Sequence, residues 1–354
     1  RPFFCWSSWI APHLPWNAPE PFASMYPVDE VDAPYAWDQD RESLAPSLRD
    51  NKTTADVEFA SEEHLKRIRA LYYGGISLID KGVGRILRAL DALGIAENTL
   101  VVFASDHGEM MGDHGLFQKS KPYEASTRVP FLMRLPGRIE AGSTPDDRVS
   151  QLDMMPTFLD AAGIDYPGAP DLPGDSLLSR PSGGPAERRD EYVVEHGGGA
   201  NRWLSMVRGT WKYNYYIQGG WEELFDLAAD PREMTNLLLG GADGESQRVG
   251  AKMRADLTTW ERENGFATSL DDDGELRSVD PSKRWSPKPN SQFPKWVENL
   301  PPDELALMES PGESVLNAMR HEWTYELTDL DLASYKESGG SLEGTTAQAL
   351  LDDI

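Results

Sequence analysis

A chain of 354 residues, 39% of them apolar and including 11 Trp, 12 Tyr and 11 Phe, is long enough for one large α/β domain with a smaller companion and too apolar to stay disordered. A formal charge of −25 excludes a polyanion such as nucleic acid as partner, and no run of about eighteen apolar residues is present to span a bilayer as a helix. The single cysteine, Cys5, excludes an internal disulfide framework and a cysteine-rich zinc site.

The sequence opens Arg1-Pro2-Phe3-Phe4, directly on an apolar, aromatic run over residues 2–10. That run reads as a buried strand of a chain entered midway, and Cys5 within it reads as a core thiol. Ala11-Pro12-His13-Leu14-Pro15 stops any regular element, so His13 is delivered into a loop. Residues 16–54 are Pro-rich and polar without a period, an irregular excursion over the surface.

Ser61 before Glu62 and Glu63 caps a helix start, and Leu65, Ile68, Tyr72, Ile76, Ile79, Val83, Ile86, Leu90 and Leu93 recur every three or four residues up to Gly94. One long helix with that face buried is expected. Residues 99–105 are almost continuously apolar and β-branched, as a parallel strand covered on both faces would be, with Asp106 and His107 at its carboxyl end. A second strand is expected over residues 129–135 and a helix over 153–162, closed by Gly163.

Past residue 190 the pattern changes to short strands over 191–195, 203–207, 211–217 and 224–227, separated by Gly-rich turns, which predicts an antiparallel sheet. Residues 247–263 form a covering helix with Val249, Met253, Leu257 and Trp260 on one side. The remainder is acidic and Pro-rich, with a short helix near 313–321. The expected division is 1–190, the C-terminal part of an α/β catalytic domain; 191–270, an antiparallel subdomain with its helix; and 271–354, an extension.

Chemistry concentrates after the first strand: Ser105-Asp106-His107-Gly108-Glu109-Met110-Met111-Gly112-Asp113-His114-Gly115-Leu116-Phe117-Gln118-Lys119, then Tyr123-Glu124 and Arg128-Val129-Pro130. Asp106 and His107 can share one divalent cation, although two ligands are too few for a complete site, and such a pair also reads as a turn beside a satisfied histidine. Together with Ala11 to Pro15, Leu152-Asp153-Met154-Met155-Pro156 through Ala162-Gly163, and Glu223-Leu224-Phe225-Asp226-Leu227 with Asp230-Pro231, Glu233 and Asn236-Leu237, this stretch resembles the sulfatases of the alkaline phosphatase superfamily. The resemblance covers residues 1–240.

The resemblance implies an alkaline-phosphatase-like sheet flanked by helices, incomplete on its N-terminal side, with a smaller C-terminal antiparallel sheet and helix. It implies Asp106 and His107 as ligands of one divalent metal ion, calcium first, with manganese, magnesium or zinc as alternatives. Lys119 would hold an anionic oxygen of a small-molecule or saccharide sulfate ester, and His13 would protonate the leaving alcohol. His196 could line the substrate mouth, or be a loop histidine of no special role; His114 reads as structural, and Glu124 and Arg128 as residues that shape the loop.

The family's nucleophile is a formylglycine made from a Cys-x-Pro-Ser-Arg motif, and Cys5-Trp6-Ser7-Ser8-Trp9 does not fit it. The expectation is therefore a sulfuric ester hydrolase that is inactive until a missing N-terminal segment or a partner chain completes its site. A phosphonate monoester or phosphodiester hydrolase on the same scaffold and a non-catalytic binding module are the alternatives. The compartment stays open.

Overall fold

A computed structural model describes residues 2–49, 60–145, 148–166, 168, 172–179, 189–241 and 244–282. The helix expected near 313–321 lies outside them. The described elements are a short helix α1 (Pro46–Arg49), a long helix α2 (Glu62–Ala92), strand β1 (Val101–Ala104), a helical turn α3 (Glu124–Thr127), strand β2 (Phe131–Arg134) and helix α4 (Met154–Ala162). Strands β3 (Glu191–His196), β4 (Trp203–Arg208), β5 (Trp211–Tyr216) and β6 (Trp221–Asp226) and helix α5 (Gly244–Asn264) follow. The α/β class with a separate antiparallel sheet is the one the sequence predicts.

Helix α2 begins in a reciprocal cap, with the Ser61 hydroxyl accepting from the His64 amide at 3.3 Å and the Ser61 amide donating to His64 Nδ1 at 3.4 Å. It ends before Gly94, whose φ of +68° a glycine adopts freely. The buried face is narrower than the apolar stripe. Of the stripe only Leu65 is buried, while Ile76 is 45% and Ile86 37% exposed. The close contact is made where side chains are smallest: a Cβ on Gly74 would stand 2.3 Å from the Phe22 carbonyl oxygen, and one on Gly75 would stand 3.1 Å from Pro12 Cβ. These two glycines let residues 12–22, and His13 with them, lie directly on the helix.

Three other expectations are corrected. β1 pairs antiparallel with β2, Val101 opposite Arg134 and Ala104 opposite Phe131, and it is only partly covered. A continuous apolar run is compatible with cover on both faces, but dictates neither that cover nor the direction of the neighbouring strand. Residues 2–10 form no strand among the described residues: Phe4 is 71% and Trp6 69% exposed, and Cys5 is an exposed thiol rather than a core one. Their composition favours a strand, but composition alone does not make one without a ladder of backbone hydrogen bonds, and residues 2–10 pair with no described strand. Residues 16–49 are not purely superficial either, since Val31, Leu44, Ala45 and Leu48 are buried. A few apolar residues in a polar loop suffice to plug it into a core.

The second sheet is an antiparallel meander in the order β3-β4-β5-β6. Alternate side chains leave its two faces. Leu204, Met206, Tyr213, Tyr215 and Leu224 meet Met253 and Leu257 of α5 and Leu276 beyond it, with Val249 and Trp260 at the margin. Trp203, Tyr216 and Phe225 point the other way, onto Leu44, Leu48, Met110, Leu116 and Tyr123. Covered on both faces, the central strands are almost wholly buried. Arg202 clamps sheet to helix, its Nε and Nη2 donating to the Glu261 carboxylate at 2.9 and 2.7 Å. Residues 270–279 return to this layer through bridges of Leu270 with Leu276 and of Gln218 with Val279.

Candidate active site

β1 ends in a knot of hydrogen bonds that fixes Asp106 and His107. Ser105 Oγ donates to the His107 carbonyl at 2.7 Å, the His107 amide donates to Asp106 Oδ1 at 3.0 Å, and Gln151 Nε2 donates to the carbonyls of Ser105 and Asp106 at 2.6 and 2.8 Å. Asp106 Oδ2 is left facing His107 Nε2 at 3.5 Å. His107 Nδ1 lies 2.8 Å from the Gly108 carbonyl, which only accepts, so Nδ1 carries the proton and Nε2 presents a lone pair. A carboxylate oxygen and an imidazole lone pair at this separation can flank one cation held at about 2.0–2.4 Å from each. A carboxylate and an imidazole are donor types that suit a divalent ion, and among the described residues no group of three or more His, Cys, Asp or Glu side chains is arranged to hold one.

Gly108 permits this geometry. Its amide donates to the Ser126 carbonyl at 2.8 Å, and a Cβ would stand 2.1 Å from the Ala125 oxygen. Gly108→Ala should therefore push β1's end away from α3 and destabilise the fold by about 1–3 kcal/mol, as measured by urea unfolding.

The loop after Gly108 is held from within and from the second sheet. Glu109 Oε1 accepts from the Met111 amide at 3.3 Å and from the Gln118 amide, which closes the loop across nine residues. Tyr72 of α2 lies beside this carboxylate and Asp106, and its phenol is pushed up to about 12 by burial first and then by these two negative groups. His114 is structural. It is buried, stacks on the Tyr123 ring at 4.5 Å, and its Nε2–H donates to the Arg232 carbonyl at 3.0 Å; burial holds its pKa below the ordinary value.

At the loop's far end Lys119 Nζ meets His13 Nε2 at 2.7 Å, across 106 positions of sequence. His13 Nδ1 is 2.8 Å from the Leu14 carbonyl and must donate to it, so Nε2 is the acceptor and the Lys119 ammonium the donor. The segment carrying His13 is pinned below by Gly74 and Gly75 and above by Trp16, whose ring lies 5.6 Å from that of Phe117. Asp106 and His107 thus form one pair and His13 and Lys119 another, with Glu109 next but one to the first in sequence and bonded through the Gln118 amide to the residue before Lys119. His196 is exposed at the end of β3, its ring 5.7 Å from Trp203. Partial burial, and then the cations Lys121 and Arg202, keep its pKa low.

Several positions that sequence reasoning passed over support this arrangement. Lys212 of β5 is buried with Nζ 2.9 Å from Glu124 Oε1 and 2.8 Å from Glu233 Oε1, and Glu233 Oε2 accepts from the Glu124 amide at 2.6 Å. Glu223, wholly enclosed, accepts from Tyr123, Tyr216 and Asn214 at 3.0, 2.9 and 3.0 Å; burial raises its pKa in spite of these donors. Glu223 and Glu233 stood in recognisable motifs, and their pattern was the one available signal. Lys212, Gln151 and Trp203 had none.

Comparison with known proteins gives matches over most of the described chain. The family description Sulfatase matches residues 1–164, and N-sulphoglucosamine sulphohydrolase, C-terminal, matches residues 112–263, so the two together run through both pairs and the second sheet. The chain belongs to the sulfatase family. This sulfatase chain is 36% identical over 245 residues to an arylsulfatase of Clostridium perfringens, covering 67% of itself and 50% of that relative. Among solved structures it resembles the phosphonate monoester hydrolase of Agrobacterium radiobacter, with a TM-score of 0.60 and 28% identity over 71% of this chain and 55% of that one. It also resembles an enzyme in complex with its substrate D-glucosamine-2-N,6-O-disulfate, with a TM-score of 0.51 and 27% identity over 60% and 44% of the two chains. The sulfatase chain spans about half the length of these relatives.

Proposed function

We propose that this chain carries part of the active site of a metal-assisted sulfate ester hydrolase, which converts R–O–SO3⁻ and water to the alcohol and sulfate. The observation that carries this reading is the 2.7 Å contact of Lys119 with His13, joined through the Glu109-closed loop to the Asp106–His107 pair. Asp106 Oδ2 and His107 Nε2 would hold the divalent ion, which when bound polarises the sulfuryl group. Calcium, manganese and magnesium suit the carboxylate, calcium first, and the imidazole also admits zinc. Lys119 binds an anionic ester oxygen and supplies local positive charge in a chain whose formal net charge is −25. His13 acts as general acid toward the departing alcohol oxygen once Nε2, which accepts from Lys119 in this structure, has itself taken up a proton. His196, at the open end of β3, contacts the alcohol portion of the substrate.

Residues 1–190 act as the catalytic part and 191–270 as the subdomain that braces it, with Leu276 and Val279 packed into that subdomain rather than standing apart in an extension that begins at 271. The Cys-x-Pro-Ser-Arg motif that gives the family its formylglycine does not occur in this sequence. A further segment or a partner chain therefore supplies the nucleophile and the remaining metal ligands.

The substrate class is an aryl or saccharide sulfate, in keeping with the named arylsulfatase and with the relative bound to a disulfated glucosamine. The likeness to a phosphonate monoester hydrolase favours a second reading, because a tetrahedral phosphonate ester fits the same cation and lysine. Paired rates on p-nitrophenyl sulfate and p-nitrophenyl phenylphosphonate with the completed site separate the two. The sulfate should be turned over at least about tenfold faster in kcat/KM, a difference of about 1.4 kcal/mol in transition-state binding. The reverse order makes the enzyme a phosphonate hydrolase, and turnover of neither points to a binding module.

A further inference from the structure

Lys119 is flanked by two residues in the left-handed backbone region, Gln118 at φ +63° and Ser120 at φ +75°. Neither is a glycine, so the turn that presents Lys119 is one that ordinary residues resist and that its surroundings must impose. Three side chains outside the turn do so. The Glu109 carboxylate accepts from the Gln118 amide, Trp203 Nε1 donates to the Ser120 carbonyl at 3.0 Å, and Lys121 Nζ donates to the carbonyls of Phe117 and Lys119 at 2.8 and 3.0 Å.

Lys121 is the unusual member. At 2% exposure it cannot reach a substrate, and among the described residues its ammonium bonds backbone carbonyls and forms no salt bridge with a carboxylate. Burial pushes its pKa down to about 8; Glu109 opposes that effect and the neighbouring Lys119 adds to it. A buried ammonium held by carbonyls is costly unless those bonds do mechanical work, and both carbonyls belong to the turn that carries Lys119.

We infer that Lys121 is a positioning residue: with the Trp203 indole of the second sheet it holds residues 117–120 in the strained turn that brings Lys119 Nζ onto His13 Nε2. The inference rests on the proposed pairing of Lys119 with His13, and it gives the antiparallel sheet a direct hand in placing the anion-binding group. Tyr123 and Glu124, fastened by Glu223 and Lys212, anchor the same turn on its C-terminal side.

The test is the 15N resonance of His13 Nε2 in the full chain labelled at histidine, read at pH 7 beside the thermal midpoint. Lys119→Met removes the donor and sets the full displacement of that signal. Lys121→Met is expected to give most of the same displacement. Ser120→Gly alone should leave the signal in place, with a thermal midpoint no lower than that of the wild type, because glycine accepts the positive φ without strain; added to Lys121→Met it should return part of the displacement. Recovery of the contact by relief of backbone strain is a result that a merely structural lysine would not produce, and Trp203→Phe, which removes the donor to the Ser120 carbonyl, takes the place of Lys121→Met if that variant fails to fold. Should Lys119→Met move the signal while a folded Lys121→Met, or Trp203→Phe in its place, leaves it at the wild-type position, the positioning role is overturned and the pairing stands. Should Lys119→Met itself leave it unmoved, the pairing falls and this inference with it.

Discussion

Asp106→Ala is expected to weaken binding of a divalent cation to the completed site by more than the roughly 10–100-fold that loss of an outer-sphere partner costs. The reason lies in how the carboxylate is divided: Oδ1 is occupied by the His107 amide at 3.0 Å, and Oδ2 alone is turned toward the His107 lone pair at 3.5 Å. Removing the carboxylate deletes a ligand; Ser105→Ala should cost only a few-fold, since its hydroxyl is 3.4 Å from Oδ1 and leaves Oδ2 in place. Calorimetric titration with calcium and manganese checks both variants. Equal affinities in the wild type and Asp106→Ala would remove the metal from this pair, and with it the proposed polarisation of the ester.

The second large effect belongs to Lys212. It is 1% exposed between Glu233, which is 2% exposed, and Glu124, which is 17% exposed, so Lys212→Met leaves two carboxylates enclosed with no cation. Breaking a buried pair from one side costs about 3–5 kcal/mol, a substantial part of what a domain has to lose. Urea unfolding at neutral pH should show that loss, and Lys212→Met combined with Glu233→Gln should recover part of it by removing one stranded charge. The consequence for function follows from the chain: Glu124 is the residue after Tyr123, and both terminate the loop that bears Lys119. A Lys212→Met protein as stable as the wild type would mean that the sheet and the loop are not coupled through this cluster.

The sequence disclosed those parts whose cause is local. A Ser cap, an acidic first turn and a three-to-four-residue apolar period define α2, and two short runs on either side of Gly209-Thr210 mark the two central strands of the meander. What depends on a neighbour was hidden. The aromatic run at residues 2–10 carries the composition of a strand, yet it pairs with no described strand and leaves Phe4 and Trp6 in solvent. β1 has the composition of a doubly covered parallel strand, yet pairs antiparallel with β2. Lys121 and Lys212 look like any solvated lysine until the fold encloses them. The site itself was legible mainly through resemblance: no local rule brings His13 to Lys119, and the contact exists because Gly74 and Gly75 allow residues 12–22 to rest on α2 while Glu109 closes the loop from the other side.

The central claim is that one cation and one ester oxygen are held side by side by Asp106, His107 and Lys119. Crystals of the completed enzyme grown with manganese and a slowly hydrolysed aryl sulfate, measured at the manganese absorption edge, test it most directly. The expected result is an anomalous peak at about 2.0–2.4 Å from both Asp106 Oδ2 and His107 Nε2, with a sulfuryl oxygen hydrogen-bonded to Lys119 Nζ and the bridging oxygen facing His13. A peak liganded by neither Asp106 nor His107, or a sulfate bound away from Lys119, would contradict it.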